Sequence, residues 1–428
     1  MKTLKAAIIG AGSTYTPELI EGFVTRWERL PFSELSLMDI DPKKLHIVGG
    51  LAQRMVEKSG LPIAVSFAQD LDEALTNVDY VFAQIRVGGL QSRIKDEKIP
   101  VKYGLLGQET TGAGGFMNAL RTIPVMLDIA HRMEKLCPDA WLINFSNPSG
   151  LVAQALQTHT RVKMVGLCNN PVNMLHDIEE TIKSADFDYD YVGLNHLSWI
   201  TAVRYQGEDI LNRMDTSHGT IMKNVPQYEF DEPLRRAVPG IPCSYLSYFY
   251  LRDQQLKKVT EAEKSRGEVI IDLEESLLEQ YKQKSLNHKP KELDSRGGAL
   301  YSTAAVSLAE AIHNKAREYH VVNTLNRSAL PFMAVDDAVE VKCMVDENGI
   351  TPVKVDNPQH PYIIGMMQAV KAYERLTVEA AITGDRDKAL AAMLVHPLMG
   401  DYDKCKPCLD EMLEANKDFL PQFFPNQD

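Results

Sequence analysis

The chain has 428 residues, 44% of them hydrophobic and 24% charged, enough to bury a large core and, at this length, to form about two or three domains. Its formal net charge of -12 excludes the basic face that nucleic acid or an anionic membrane requires. No apolar run approaches the roughly 18 residues that span a bilayer, so the expectation is a soluble, cytoplasmic protein.

Residues 6 to 12, Ala-Ala-Ile-Ile-Gly-Ala-Gly, lead an apolar strand into a glycine turn. A helix is predicted from Thr16-Pro17-Glu18, with a capping hydroxyl, a proline and an acid in the order of a first turn. Small residues at such a turn let backbone N–H groups and a helix N-terminus approach a pyrophosphate. Gly10, Gly12, Ser13 and Thr14 are the candidate dinucleotide contacts, although Tyr15 stands where G-x-G-x-x-G has its third glycine. The second strand, Glu34 to Asp39, ends on an acid able to accept hydrogen bonds from the ribose hydroxyls of NAD.

Further strands are predicted at Ile63 to Phe67, Tyr80 to Ala83, Trp141 to Asn144 and Val162 to Gly166, with helical patterns between most of them. Strands that alternate with helices imply a parallel, doubly wound sheet of the Rossmann-like α/β class. Polar exceptions follow three successive strands: Arg86-Val-Gly-Gly89, Asn144-Phe-Ser-Asn-Pro148 and Cys168-Asn-Asn-Pro171. Ligands in such sheets sit at the carboxyl ends of the strands, so these loops are candidate site elements. Between Val87 and Asn118 the spacing predicts a long glycine-rich connection, then a helix from Asn118 to Leu136.

Near Tyr189 the pattern changes, and a boundary is expected between a dinucleotide-binding domain, 1–195, and a mixed α+β, helix-rich domain, 196–428. In that second half, helices are predicted over Lys257–Lys284, Ser302–Tyr319, Tyr362–Thr383 and Lys388–Leu394. Strands are predicted near His320–Thr324 and Ala338–Val345, and Asn348-Gly349 signals a hairpin turn.

Six cysteines spread over this length do not make a disulfide framework and read as reduced thiols. Cys405 and Cys408 form a C-x-x-C pair without the second pair or histidines of a zinc site. Cys168 at a strand end and His196 at the domain boundary could meet as ligands of a divalent metal, although by spacing alone two such distant residues are more often core residues. Thiolate and imidazole by themselves suggest zinc.

Seven segments taken together resemble glycoside hydrolase family four, most closely its 6-phospho-β-glucosidases. They are residues 10–18, Asp96-Glu-Lys-Ile-Pro100, Gly107-Gln-Glu-Thr-Thr-Gly112, Asn144-Phe-Ser-Asn-Pro148, Gly166-Leu-Cys-Asn169, Gly193-Leu-Asn-His196 and Arg296-Gly-Gly298. The resemblance runs in order through essentially the whole chain. It implies hydrolysis of 6-phospho-β-glucosides, such as cellobiose 6-phosphate, to glucose 6-phosphate, by a route outside the usual two-carboxylate scheme. In that route NAD+ takes hydride from C3, a base removes the acidified C2 proton, the aglycone leaves, water adds, and NADH returns the hydride.

The same resemblance makes Cys168 and His196 ligands of a divalent cation, typically Mn2+, and Tyr245 the base, with Glu109 enhancing its basicity. Arg93, Asn147 and Arg266 match substrate-binding positions, and Arg86 competes for the 6-phosphate. Asn169 stands where relatives acting on α-linked substrates carry an acid; an amide cannot protonate a leaving oxygen, which points to β-linked substrates. The alternatives are a 6-phospho-α-glucosidase or α-galacturonidase of the same family and, from another class, an NAD-dependent 2-hydroxyacid dehydrogenase. The only partners expected are the phosphorylated sugar substrate and further copies of the chain, in a dimer or tetramer.

Overall fold

Short apolar runs separated by helices become parallel strands because each crossover helix returns the chain to the same end of the sheet. The computed structural model describes residues 3–68, 70–214, 230–296, 301–357 and 359–425. Six strands build its first half: β1 (Leu4–Ile9), β2 (Phe32–Met38), β3 (Ala64–Phe67), β4 (Tyr80–Ala83), β5 (Trp141–Asn144) and β6 (Lys163–Gly166). All six are parallel, in the spatial order β3-β2-β1-β4-β5-β6, so the winding reverses between β1 and β4. Helices α1 (Thr16–Thr25), α2 (Pro42–Ser59), α3 (Leu71–Leu75), α4 (Gly89–Lys102), α5 (Gly112–Leu136), α6 (Ser149–His159) and α7 (Asn170–Ile182) cross between or follow these strands. Beneath β1, Phe23, Phe32 and Phe82 meet edge to face at 4.9 and 5.0 Å, filling the core with fixed rings.

Helix α4 occupies much of the connection expected to be a glycine-rich loop, and α5 starts at Gly112 rather than Asn118. Its buried face is largely polar, with Ser92, Arg93, Asp96 and Glu97, so no apolar stripe advertises it. Gly88 and Gly89, at φ +81° and +61°, turn the chain into the helix instead of breaking it. Asp96 takes both terminal nitrogens of Arg121 on α5, at 2.8 and 2.6 Å, in a pair almost wholly hidden from solvent. Removing one member of such a pair strands a buried charge, which costs about 3–5 kcal/mol.

Past β6 the chain forms a small second sheet from β7 (Asp188–Leu194), β8 (Leu197–Tyr205), β9 (Glu208–Asp209) and β10 (Ile241–Pro242). Three later strands, β11 (Glu318–Leu325), β12 (Ala338–Asp346) and β13 (Gly349–Pro352), join the edge of the first sheet antiparallel to β6, with Asn323 opposite Gly166. The large sheet therefore has nine strands and crosses the division expected at 195/196, because an edge partner more than 150 residues away leaves no local sequence signal. Asn348-Gly349 is the β12–β13 turn, with Gly349 at φ +94°.

Completing the second half are α8 (Glu232–Ala237), α9 (Ser247–Tyr250), α10 (Arg252–Glu261), α11 (Arg266–Tyr281), α12 (Tyr301–Asn314), α13 (Pro361–Thr383), α14 (Arg386–Val395) and α15 (Tyr402–Ala415). The single helix expected over 257–284 is two, α10 and α11. Ser265 caps α11 in a reciprocal capping box with Glu268, worth about 0.5–2 kcal/mol, and this fixes where Arg266 enters. Gly297 and Gly298 of the Arg-Gly-Gly segment lie outside the described residues. Cys405 and Cys408 are buried, free thiols one turn apart on α15.

Candidate active site

The turn after β1 is built by close backbone approach. Gly10 has φ +85°, and a Cβ there would lie 2.7 Å from the Gln84 carbonyl oxygen. The N–H of Gly12 donates to Asp39 Oδ2 at 2.8 Å, and that of Asp41 to Oδ1 at 2.8 Å, which locks the carboxylate against the turn. Burial raises the Asp39 pKa, and those backbone donors oppose it. The Thr16 hydroxyl does not cap α1, as the sequence suggested. It donates to the Ala11 carbonyl at 2.9 Å and accepts from Gln84 at 2.7 Å, stapling β4 to the turn.

A cavity of about 1050 Å³ opens beside this turn, at the carboxyl ends of the strands. Every candidate residue named from the sequence lines it except Thr14, which is fully buried and receives the Tyr281 hydroxyl on its carbonyl at 2.9 Å. Thr14 thus ties the turn to α11. The three polar loops do converge: Ile85 N donates to the Ser146 hydroxyl at 2.9 Å, and Asn118 donates to the Asn147 carbonyl at 3.1 Å.

Cys168, just past β6, and His196, at the tip of the β7–β8 hairpin, come together with Sγ 3.3 Å from Nε2. His196 holds φ +63°, a left-handed conformation that a side chain of its kind tolerates only at some cost. The Asn170 N–H, at the start of α7, donates to Cys168 Sγ at 3.4 Å. The Tyr245 ring stacks on the His196 ring at 3.8 Å and 15°.

Burial lowers His196 to about 4, with Glu109 pulling the other way, so its imidazole is neutral and able to coordinate. Burial likewise pushes the Cys168 thiol and the Tyr245 phenol up, with the nearby Glu340 and Cys168 respectively adding to it. His196 Nδ1 is buried without a partner, and no third His, Cys, Asp or Glu joins the pair among the described residues. A neutral imidazole beside a thiol that needs a counter-charge fits a cation, and two protein donors leave coordination positions open.

Positive charge gathers in the same cleft, from Arg86, Arg93 and Arg266. Glu109 pairs with Arg93 at 2.7 Å and Arg86 at 2.9 Å. Burial by itself would raise the Glu109 carboxyl, but the two guanidiniums outweigh it and hold it at about 2. Glu109 was expected to assist Tyr245; its carboxylate is engaged by the arginines, and its charge raises the phenol's pKa. Glu97 accepts from Arg93 Nε at 2.8 Å and from Gly267 N at 2.7 Å, so Arg93 is fixed against the start of α11, where Arg266 lies. Burial lowers the pKa of Arg266, and the nearby Arg93 charge adds to that. Asn169 lines the cleft next to Cys168, its Oδ1 3.9 Å from the sulphur.

Sequence reasoning missed Glu97, Asn195 and Glu340. The first two lie within or beside quoted segments. Glu340 had one signal, an acid inside the apolar strand Ala338–Val345.

The 3-2-1-4-5-6 sheet, its glycine turn and a polar crevice at the strand ends define the class: a Rossmann-type, dinucleotide-binding fold carrying an enzyme-like cleft. The chain belongs to glycosyl hydrolase family 4, whose family model matches residues 5–184 and whose C-terminal domain model matches residues 191–399. A Bacillus subtilis protein named a probable 6-phospho-beta-glucosidase is 44% identical, over 99% of this chain and 98% of that one. A phospho-alpha-glucosidase from Clostridium acetobutylicum is 30% identical, over 98% and 99%. Among solved structures, the 6-phospho-beta glucosidase from Thermotoga maritima with manganese, NAD+ and glucose-6-phosphate has a TM-score of 0.88 at 33% identity, covering 97% of this chain and 99% of that one.

Proposed function

We propose that this protein hydrolyses 6-phospho-β-glucosides, such as cellobiose 6-phosphate, to glucose 6-phosphate by transient oxidation at C3, using NAD+ and a divalent cation, Mn2+. The observation that carries this reading is the meeting of Cys168, His196 and Tyr245 in the crevice that also holds the glycine turn and Asp39. When bound, NAD+ supplies the hydride acceptor and Mn2+ supplies positive charge beside the C2 and C3 oxygens.

The chain's own residues do the rest. Gly10, Gly12 and Ser13 shape the dinucleotide turn, with Asp39 accepting from the ribose hydroxyls. Cys168 and His196 are the ligands, and the hard hydroxyl oxygens of the sugar, which the cation must also grip, favour Mn2+ over the zinc that the two donors alone suggest. Tyr245, fixed by its stack on His196, takes the C2 proton; a cation held by that pair would favour the phenolate that burial opposes. Glu109 keeps Arg93 and Arg86 aimed into the cleft, and Arg93, Arg86, Arg266 and Asn147 grip the phosphate and hydroxyls. Asn169 offers no acid for an α-linked leaving group.

The thiol ligand requires a reducing compartment, consistent with the cytoplasm, and no described helix is long and apolar enough to cross a membrane. Exposed Leu394, Val395 and Tyr402 on α14 and α15 supply apolar surface for a homo-oligomer, a dimer or tetramer.

Two measurements test the reading. With paired aryl 6-phosphoglucosides, the β-anomer is expected to turn over and the α-anomer not, while absorbance shows no net NADH. Preferred α turnover would overturn the anomeric assignment, and NADH accumulating with product would indicate a dehydrogenase. Separately, Gly12→Ala places a Cβ 2.8 Å from Asp39 Oδ2. That contact pushes the Asp39 carboxylate off the turn, so calorimetry is expected to show NAD+ binding weakened about tenfold, about 1.4 kcal/mol.

A further inference from the structure

Behind the thiol–imidazole pair lies a fully buried acid that the mechanism above does not use. Glu340 on β12 accepts from Asn195 Nδ2 at 3.0 Å and Asn323 Nδ2 at 3.1 Å through Oε1, and from the Tyr191 hydroxyl at 2.9 Å through Oε2. Each donor lies on, or pairs with, a strand that leads to a ligand. Asn195 immediately precedes His196 in the strained hairpin tip, Tyr191 lies on β7 leading to it, and Asn323 pairs in register with Gly166, two residues before Cys168.

We infer that Glu340 and Asn195 are positioning residues that orient the Cys168–His196 pair for its cation, an inference that rests on the metal-site reading above. The argument is one of amide polarity. The two ends of an asparagine amide have the same shape, and only their partners decide which end points where. Glu340 accepts from it, so the NH2 end of the Asn195 amide is the end that faces the carboxylate. With an apolar residue at 340 the amide loses the partner that sets its direction, and the hairpin tip that carries His196 loses its tether to β12. An acid inside a strand that packs apolar side chains is costly to bury, and strand packing alone would be served by valine.

The test is Mn2+ affinity without substrate, read from the electron paramagnetic resonance signal of the free ion, with NAD+ affinity measured in parallel. Glu340→Leu and Asn195→Ala are expected to weaken Mn2+ binding about 10–100-fold and leave NAD+ binding unchanged. Glu340→Gln should stay near wild type. Its Oε1 still accepts from both asparagines, and the Tyr191 hydroxyl, 2.8 Å from Ser198 Oγ, can donate there instead. Should the leucine variant fail to fold, Asn195→Ala carries the test. Wild-type Mn2+ affinity in Asn195→Ala and Glu340→Leu, with Cys168→Ser impaired, overturns the positioning role and leaves the metal site standing. A glutamine variant as weak as the leucine one also overturns it. Wild-type affinity in Cys168→Ser removes the ligand assignment, and the positioning role with it.

Discussion

Tyr245→Phe is expected to lower kcat by about 10²- to 10⁴-fold, the range that a positioned proton-transfer group contributes. The substitution removes one oxygen and keeps the ring. Phenylalanine retains the 3.8 Å stack on His196 and the buried volume beside Tyr248, so neither the fold nor the ligand pair should shift. NAD+ and Mn2+ affinities and the melting temperature should therefore match wild type while turnover collapses. Steady-state kinetics with calorimetric binding separates these quantities. An unchanged kcat would take Tyr245 out of the mechanism, and a parallel loss of Mn2+ binding would make it a packing residue of the metal site.

Cys168→Ser is expected to carry the second large effect, raising the Mn2+ concentration for half-maximal activity by about 100-fold or more, beyond what loss of a supporting contact costs. A serine hydroxyl does not ionise at neutral pH, so the site loses its one anionic donor and keeps a neutral imidazole. The fold should tolerate the change. The sulphur faces a cleft, and the Asn170 N–H that donates to it can donate to an oxygen instead. A manganese titration indistinguishable from wild type would refute the ligand assignment. In the wild-type protein, mild peroxide should abolish activity and a thiol reductant restore it while oxidation stops at the sulfenic stage.

The parts of this molecule legible in its sequence are those written in local periodicity. The six parallel strands and the loops at their ends follow from short apolar runs broken by polar residues, and Cys168 and His196 were singled out from where those runs stop. What escaped is non-local or polar. Helix α4 buries Arg93, Asp96 and Glu97 instead of an apolar stripe, so it read as loop. The break between α10 and α11 was written in Ser265 and Glu268, a capping box that the wider helical pattern hid. β11, β12 and β13 join a sheet whose other members lie far back in the chain, a pairing that no window of residues reveals. Glu340 enters the site region only through that pairing. That Glu109 pairs with two arginines, at 2.7 and 2.9 Å, is likewise a contact that no local pattern announces. The resemblance to the family supplied the chemistry, and the geometry of the cleft supplied the reason these residues can act together.

Hydrolysis of an unactivated 6-phospho-β-glucoside in heavy water tests the central claim most directly. If the bond is broken by way of a C3 ketone and C2 deprotonation, the glucose 6-phosphate released carries deuterium at C2, because the proton taken up there comes from solvent. Product with ordinary hydrogen at C2, formed at the full rate, would mean direct displacement at C1 and would contradict the account.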